Sequence, residues 1–248
     1  KNIFHSLSKE FKFNFEKKDL SKFKKFKIVA VIGMGGSILG SEAIYCFLRK
    51  KIKKKIIFFN DINSNELYNF KKNHNLKKVL FLIISKSGNT VETLSNFLAL
   101  NIIKKKSKNI IIITEKNKNF LHNISKKMSL NYIEHKKYMG GRYSVLSEVG
   151  IVPAYLMGLD IIKLRKNILN HFKSKNVKFL RESTIKLSNI FQKNRFKKII
   201  FLNYDSKLNK FLYWHQQLMA ESLGKKGKGF LPSISKAPKD HHSLLQLY

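Results

Sequence analysis

The chain has 248 residues, 43% of them hydrophobic, enough for one large or two modest cores. Its formal net charge of +35 invites a nucleic-acid reading. Only Arg49, Arg142, Arg165, Arg181 and Arg195 of the 50 basic residues are arginine, however, and the lysines are spread along the whole chain, so no specific nucleic-acid partner is expected. Cys46 stands alone, which excludes an internal disulfide and a cysteine metal cluster and fits a cytoplasmic protein. No membrane partner is expected either: the longest apolar candidate, Val149 to Ile162, holds Pro153 and Asp160 and falls short of the ~20 residues of a membrane span. The opening residues, Lys1-Asn-Ile-Phe-His-Ser, lack the apolar segment of a signal peptide and an initiating Met, as expected of a processed chain or an excerpt of a longer one.

Residues 1–26 are rich in lysine and phenylalanine, with a short helix expected near the start. An apolar strand over Lys27 to Val31 ends in Gly33-Met34-Gly35-Gly36-Ser37, and a helix follows over Ser41 to Leu48. A second strand, Lys55 to Asn60, precedes a helix over Asn65 to Lys72. The third, Lys78 to Ile84, is short, unbroken and β-branched, as a strand buried on both faces requires. It runs into Ser85-Lys86-Ser87-Gly88-Asn89-Thr90, and Leu94, Phe97, Leu98 and Ile102 then recur at helical spacing. A fourth strand is expected over Asn109 to Thr114, a helix over Asn117 to Lys127 and a fifth strand over Leu130 to Ile133. Strict alternation of strand and helix predicts a parallel α/β sheet with helices on both faces.

From Gly140 the rhythm changes to helical stretches as far as Leu159, over about 160–173 and over 180–193. A strand returns at Lys198 to Leu202, followed by a helix from about Lys207 to Leu223. Pro232 and Pro238 predict an irregular stretch after the loop Gly224 to Gly229.

Five constellations are candidates for chemistry. Ser85, Ser87 and Thr90 surround one glycine at a strand-to-helix turn, where backbone N–H groups and the helix dipole favour an anion; the plain alternative is a helix cap, for which one hydroxyl suffices. The Gly33–Ser37 turn is a defective dinucleotide fingerprint, with Ile38 where the third glycine belongs, so no nicotinamide cofactor is expected. Its glycines still require close approach of a ligand or of neighbouring chain. Gly140-Gly141-Arg142 sets one arginine after a sharp turn, either as an oxyanion stabiliser or as a surface residue. Gln217 and Glu221 lie four apart on one helical face, and Glu221 near the helix C-terminus opposes the dipole, a placement that suits a partly buried general base as well as a solvated glutamate. His241-His242 cannot share a helix face, so no metal site is expected there.

In order along the chain, Ile32-Gly-Met-Gly-Gly-Ser37, Ser85-Lys-Ser-Gly-Asn-Thr-Val-Glu-Thr93, Gly140-Gly-Arg-Tyr-Ser-Val-Leu-Ser147, Gln217 through Lys225 and Asp240-His-His-Ser243 resemble the motifs of the glucose-6-phosphate isomerase family of the sugar-isomerase (SIS) superfamily. The resemblance implies two flavodoxin-like SIS domains, each a parallel sheet flanked by helices in three α/β/α layers. The first would span residues 20–138. Residues 139–248 would hold linking helices and a second domain truncated at the C-terminus, with 1–19 packing on it. It also implies aldose–ketose isomerisation between glucose 6-phosphate and fructose 6-phosphate through a cis-enediol, without metal or cofactor. Ser85, Lys86, Ser87 and Thr90 would grip the phosphate, with Gly36 and Ser37 near the sugar and Gln217 lining the site. Glu221 matches the family's base, Arg142 the residue that stabilises the intermediate, and His242 the ring-opening histidine that reaches in from the partner of a homodimer.

Three features depart from the family pattern, one of them the loop before His242, which lacks the glycines many relatives have there. The chain stops before the helix that carries a further catalytic lysine, and Asn89 and Val91 replace residues often polar there. The alternative expectation is therefore a phosphosugar-binding module or fragment without catalysis.

Overall fold

The computed structural model describes residues 3–8, 10–166, 168–172, 176–192 and 196–248. Its strands are β1 (Ile28–Ile32), β2 (Lys55–Phe59), β3 (Val79–Ile84), β4 (Ile110–Thr114), β5 (Asn131–Glu134), β6 (Lys198–Asn203) and β7 (Leu231–Lys236). The helices are α1 (Lys17–Ser21), α2 (Leu39–Phe47), α3 (Ser64–Asn73), α4 (Val91–Ala99), α5 (Phe120–Lys127), α6 (Glu148–Leu156), α7 (Ile161–Arg165), α8 (Asn176–Gln192) and α9 (Asn209–Leu223).

The first five strands form one parallel sheet in the order β2-β1-β3-β4-β5. Successive side chains of a strand point to opposite faces, and here both faces are covered. Val29 and Val31 of β1, with Leu80, Leu82 and Ile84 of β3, pack with Leu20 of α1, Val149 and Val152 of α6 and Ile161 of α7. Ala30, Ile32, Phe81 and Ile83 pack on the other side with Leu67 and Phe70 of α3, Phe97 of α4 and Leu121 of α5. All six residues of the central strand β3 are buried, which is why its sequence is an uninterrupted apolar run. Every residue of α6 is buried too, so this segment is a core helix of the first sheet. No helix among the described residues is long and apolar enough to cross a membrane.

The N-terminal stretch straddles the expected division of the chain. Asn14 takes a bond from Lys136 Nζ at 2.7 Å and donates its backbone N–H to Glu148 Oε1 at 2.9 Å. Arg165 lies over the rings of Phe11 and Phe13.

In the second α/β unit β6 and β7 pair in parallel, from Lys198↔Leu231 to Asn203↔Lys236. This corrects the irregular stretch expected around Pro232. The N–H groups of Leu231 and Ala237 donate to Lys197 and Asn203, so alternate residues of β7 face β6, and Pro232 turns its missing N–H to the outer side. Proline is tolerated at an edge of this kind. A second difference lies at Gly141–Leu146, a 3-10 helix rather than the start of a long α-helix. The helical stretches expected over 160–173 and 180–193 reach residues 167, 173 and 193, outside the described residues; between them lie α7, a 3-10 turn at Ile168–Phe172 and α8.

Candidate active site

The strand order places a topological switch between β1 and β3: the chain leaves β1 for β2 on one side and returns to β3 on the other. In open parallel sheets the crevice outside the carboxyl ends of two such strands is where ligands sit. The two turns that end there are Gly33–Ser37 and Ser85–Thr90.

In the turn after β3, the Ser85 and Thr90 hydroxyls are bonded at 2.8 Å, with Ser87 Oγ at 3.5 Å and 3.4 Å from them. Ser85 Oγ also accepts the Gly88 N–H at 3.1 Å, which holds the turn closed. Thr90 occupies the N-cap of α4, yet its hydroxyl caps no helix N–H. The capping alternative is thus not realised, and the first-turn N–H groups of α4 stay directed at the crevice with the positive end of the dipole. Lys86 stands apart from the hydroxyls, its ammonium 3.4 Å from Glu115 Oε1.

The turn after β1 explains its glycines through neighbouring chain. A side chain on Gly36 would place Cβ 2.2 Å from the carbonyl carbon of Gly141 and 2.5 Å from the Arg142 nitrogen. Gly35 has φ +52°, and a Cβ there would lie 2.7 Å from Gln217 Nε2. Ser37 donates its backbone N–H to Met34 and is half-buried. Two distant segments therefore close on this turn: the Gly140–Leu146 loop and helix α9.

Arg142 and Glu221 meet at this closure. Arg142 Nη1 lies 3.2 Å from Glu221 Oε2, and Gln217 Nε2 donates to Glu221 Oε1 at 2.7 Å. Gln217 Oε1 is buried without a partner, an acceptor for which a ligand hydroxyl is suited. The Glu221 side chain is 48% exposed against 21% for Arg142, so the carboxylate is about half covered and is oriented by its two partners. Three residues that the sequence did not single out hold Arg142 in place, two at its guanidinium and one at its backbone. Ser222 Oγ accepts from Arg142 Nε at 2.9 Å, the Trp214 indole donates to the Arg142 carbonyl at 3.0 Å, and Tyr143 stacks under the guanidinium and bonds Ser222 Oγ at 2.7 Å. The Ser222 bond, with Arg142 and Lys225 nearby, holds the Tyr143 phenol below its usual value against the opposing effect of burial. Ser222 and Tyr143 adjoin singled-out residues, but about 80 positions separate them from each other, and no local pattern reveals the bond.

His242 is exposed, and no bond among the described residues joins it to Arg142 or Glu221; its neighbour His241 lies against Tyr204, with Nε2 2.9 Å from the phenol oxygen. No group of three His, Cys, Asp or Glu that could hold a metal occurs among the described residues.

A switch-point crevice with a hydroxyl-lined turn on one side and an arginine–carboxylate pair on the other defines the class as α/β sugar-isomerase folds. A hypothetical protein of Thermus thermophilus superposes over 99% of this chain and 61% of its own length with a TM-score of 0.79 at 22% identity. The glucose-6-phosphate isomerase of Chlamydia trachomatis does so over 98% and 55% with a TM-score of 0.75 at 20% identity. The chain belongs to the phosphoglucose isomerase family, whose sequence model matches residues 8–230. A probable glucose-6-phosphate isomerase of Methanococcus maripaludis is 35% identical over 91% of the chain, and the glucose-6-phosphate isomerase of Methanocaldococcus jannaschii is 32% identical over 93%. The chain spans 54% and 59% of the length of these two curated relatives.

Proposed function

We propose that this chain carries the phosphate-binding and proton-transfer parts of an enzyme that interconverts glucose 6-phosphate and fructose 6-phosphate. The observation that carries the reading is the Glu221 carboxylate, held between Gln217 and Arg142 at the mouth of the β1/β3 crevice. In this reading the sugar phosphate lies on the Ser85, Ser87 and Thr90 hydroxyls and the N-terminus of α4, with Lys86 adding charge. Gly36 and Ser37 border the sugar, and Gln217 Oε1 accepts one of its hydroxyls.

Glu221 takes the proton from C2 as the C1 carbonyl oxygen gains negative charge, and returns it to C1 of the cis-enediol(ate) while the C2 hydroxyl proton passes to O1, leaving the ketone at C2. Arg142 stabilises the developing charge; a donor placed this way is worth about 3 kcal/mol of barrier. A carboxylate and a guanidinium supply the acid–base and electrostatic chemistry, so the step calls for no metal. His242, exposed and outside the Arg142–Glu221 group, suits ring opening in the site of a second copy, which makes the working unit a homodimer. The lone thiol suits a cytoplasmic setting, and the functional division of the chain falls between residues 20–138, which hold the phosphate, and 139–248, which carry Arg142, Glu221 and His242.

The test is Glu221→Gln in the full-length protein. Isomerisation measured in a coupled assay falls by at least a thousandfold while glucose 6-phosphate binding, followed by calorimetry, persists. Activity retained in that variant overturns the assignment.

A further inference from the structure

The opposite edge of the first sheet, where β1, β3 and β4 begin, carries a groove of about 1080 Å³. Seven of its fifteen lining residues are lysine, Lys25, Lys27, Lys78, Lys105 and Lys108 among them, against 45 of 248 in the chain as a whole, the 50 basic residues less five arginines. None of the chain's 15 carboxylates lines it. All seven lysines are exposed, and none forms an ion pair among the described residues. The helix ends at this edge do not cancel the charge. The C-termini of α3 and α4 point here, each equivalent to roughly half a negative charge, together about one charge against seven.

The lining narrows the choice of anion. Isolated ammonium groups bind phosphate as point charges, and they come from three separate loops, so a single phosphate reaches only some of them. Duplex and single-stranded nucleic acids fit less well: no arginine lines the groove, and its one aromatic, Phe26, is buried and offers no stacking platform. A compact ligand with several charges in a row matches the spread of lysines, and the volume lies just above the roughly 300–1,000 Å³ of small-molecule pockets.

We propose that this groove binds a chain of linked phosphates, supplied either by a nucleoside triphosphate or by an inorganic polyphosphate. The site is separate from the β1/β3 crevice by the length of the strands, roughly 17–20 Å, and does not depend on the activity proposed above.

The experiment is calorimetry on the 248-residue chain with ATP, tripolyphosphate and AMP at about 0.15 M salt, where exposed charges are largely screened. Tripolyphosphate and ATP bind one per chain at least tenfold more tightly than AMP; equal affinity of the two names the phosphate chain as the whole determinant, and tighter ATP names a nucleotide. The quadruple variant K27Q/K78Q/K105Q/K108Q weakens binding at least tenfold, whereas K178Q/K186Q/K236Q/K239Q, with the same loss of charge on the second unit, binds as the parent does. Equal weakening by both variants, unsaturable binding, or displacement by excess glucose 6-phosphate overturns the proposal. Lysine acetylation read by mass spectrometry gives a measurement on the unmodified sequence: tripolyphosphate protects Lys27, Lys78, Lys105 and Lys108 but not Lys178, and equal labelling with and without ligand overturns it as well.

Discussion

The two α/β units of this chain are built from the same parts and held in different ways. In the first, five strands are sandwiched between helices, and β3 and β4 have no exposed residue. In the second, β6 and β7 have one partner each, most of their residues are only half-buried or exposed, and α9 has no buried residue although it packs along α2. The difference separates what holds a site from what acts in it. The hydroxyl turn rides on a fully buried strand, while the carboxylate that would move the proton rides on a helix whose position depends on contacts with the other unit: Lys210 with Glu42 at 3.2 Å, Gln217 against Gly35, Ser222 with Arg142.

The contrast predicts unequal costs for equal changes. Leu82→Ala, in the centre of β3, destabilises the protein by about 4 kcal/mol in urea titration, whereas Ile200→Ala in β6 costs about 1 kcal/mol. Similar values at the two positions would mean that the second sheet is as tightly held as the first.

Acid exposes the next difference. Burial pushes His135, at the end of β5, down to about 4, with Lys86 adding to the effect and the Lys136 carbonyl opposing it. Its folded value lies below the ordinary 6.5, so the unfolded chain takes up the proton first. The stability it contributes is complete above about pH 6.5 and is lost as the pH falls toward 4, by up to roughly 3 kcal/mol. His135→Gln flattens that slope between pH 6.5 and 4.5. His215, packed between Phe201 and Phe211 in the second unit and also lowered by burial, changes it less when replaced by Gln.

The seam between the units is tested by Gly36→Ala, whose methyl group would push directly on the Gly141–Arg142 peptide. Its expected cost is about 2 kcal/mol, with loss of the Arg142–Glu221 pair from the crystal structure of the variant; an unshifted Arg142 would show that the seam can yield elsewhere. Ser222→Ala is milder, about 1 kcal/mol, and returns the Tyr143 phenol toward its ordinary value in a spectrophotometric titration. A Tyr143 titration unchanged in that variant would remove Ser222 from the support of Arg142.

How far the sequence could be read follows the same division. Strands β1, β3 and β4 were legible within a residue or two because burial on both faces leaves an apolar run, the edge strands β2 and β5 because they fall in the strand–helix alternation, and the order of the motifs identified the family. Strand β7 was not, since Pro232 argues against a strand until its outward direction is known. Whether Glu221 is covered stayed open in the sequence, because helical spacing gives a face but not what lies against it. Trp214, Tyr143 and Ser222 were invisible for the same reason: their bonds to Arg142 and to one another cross most of the second half of the chain. Sequence also offered two readings of the glycines after β1, and the structure shows that the neighbouring chain comes close to them.

The direction in which Pro232 faces has a further consequence for how the small sheet can be extended. On the outer side of β7 the proline has no N–H, its carbonyl accepts from Gln216 Nε2 at 2.7 Å, and the Lys236 N–H is taken by Asp240 Oδ2 at 2.7 Å. Among the described residues, the outward-facing backbone groups of β7 without such a partner are those of Ile234 and the Lys236 carbonyl at the strand's end. Along β6 the outward-facing residues Lys198, Ile200 and Leu202 have no such blocks among the described residues. Any added strand, from the same polypeptide or from another molecule, meets a one-way template: it docks on β6, and β7 serves as the terminus of the ladder.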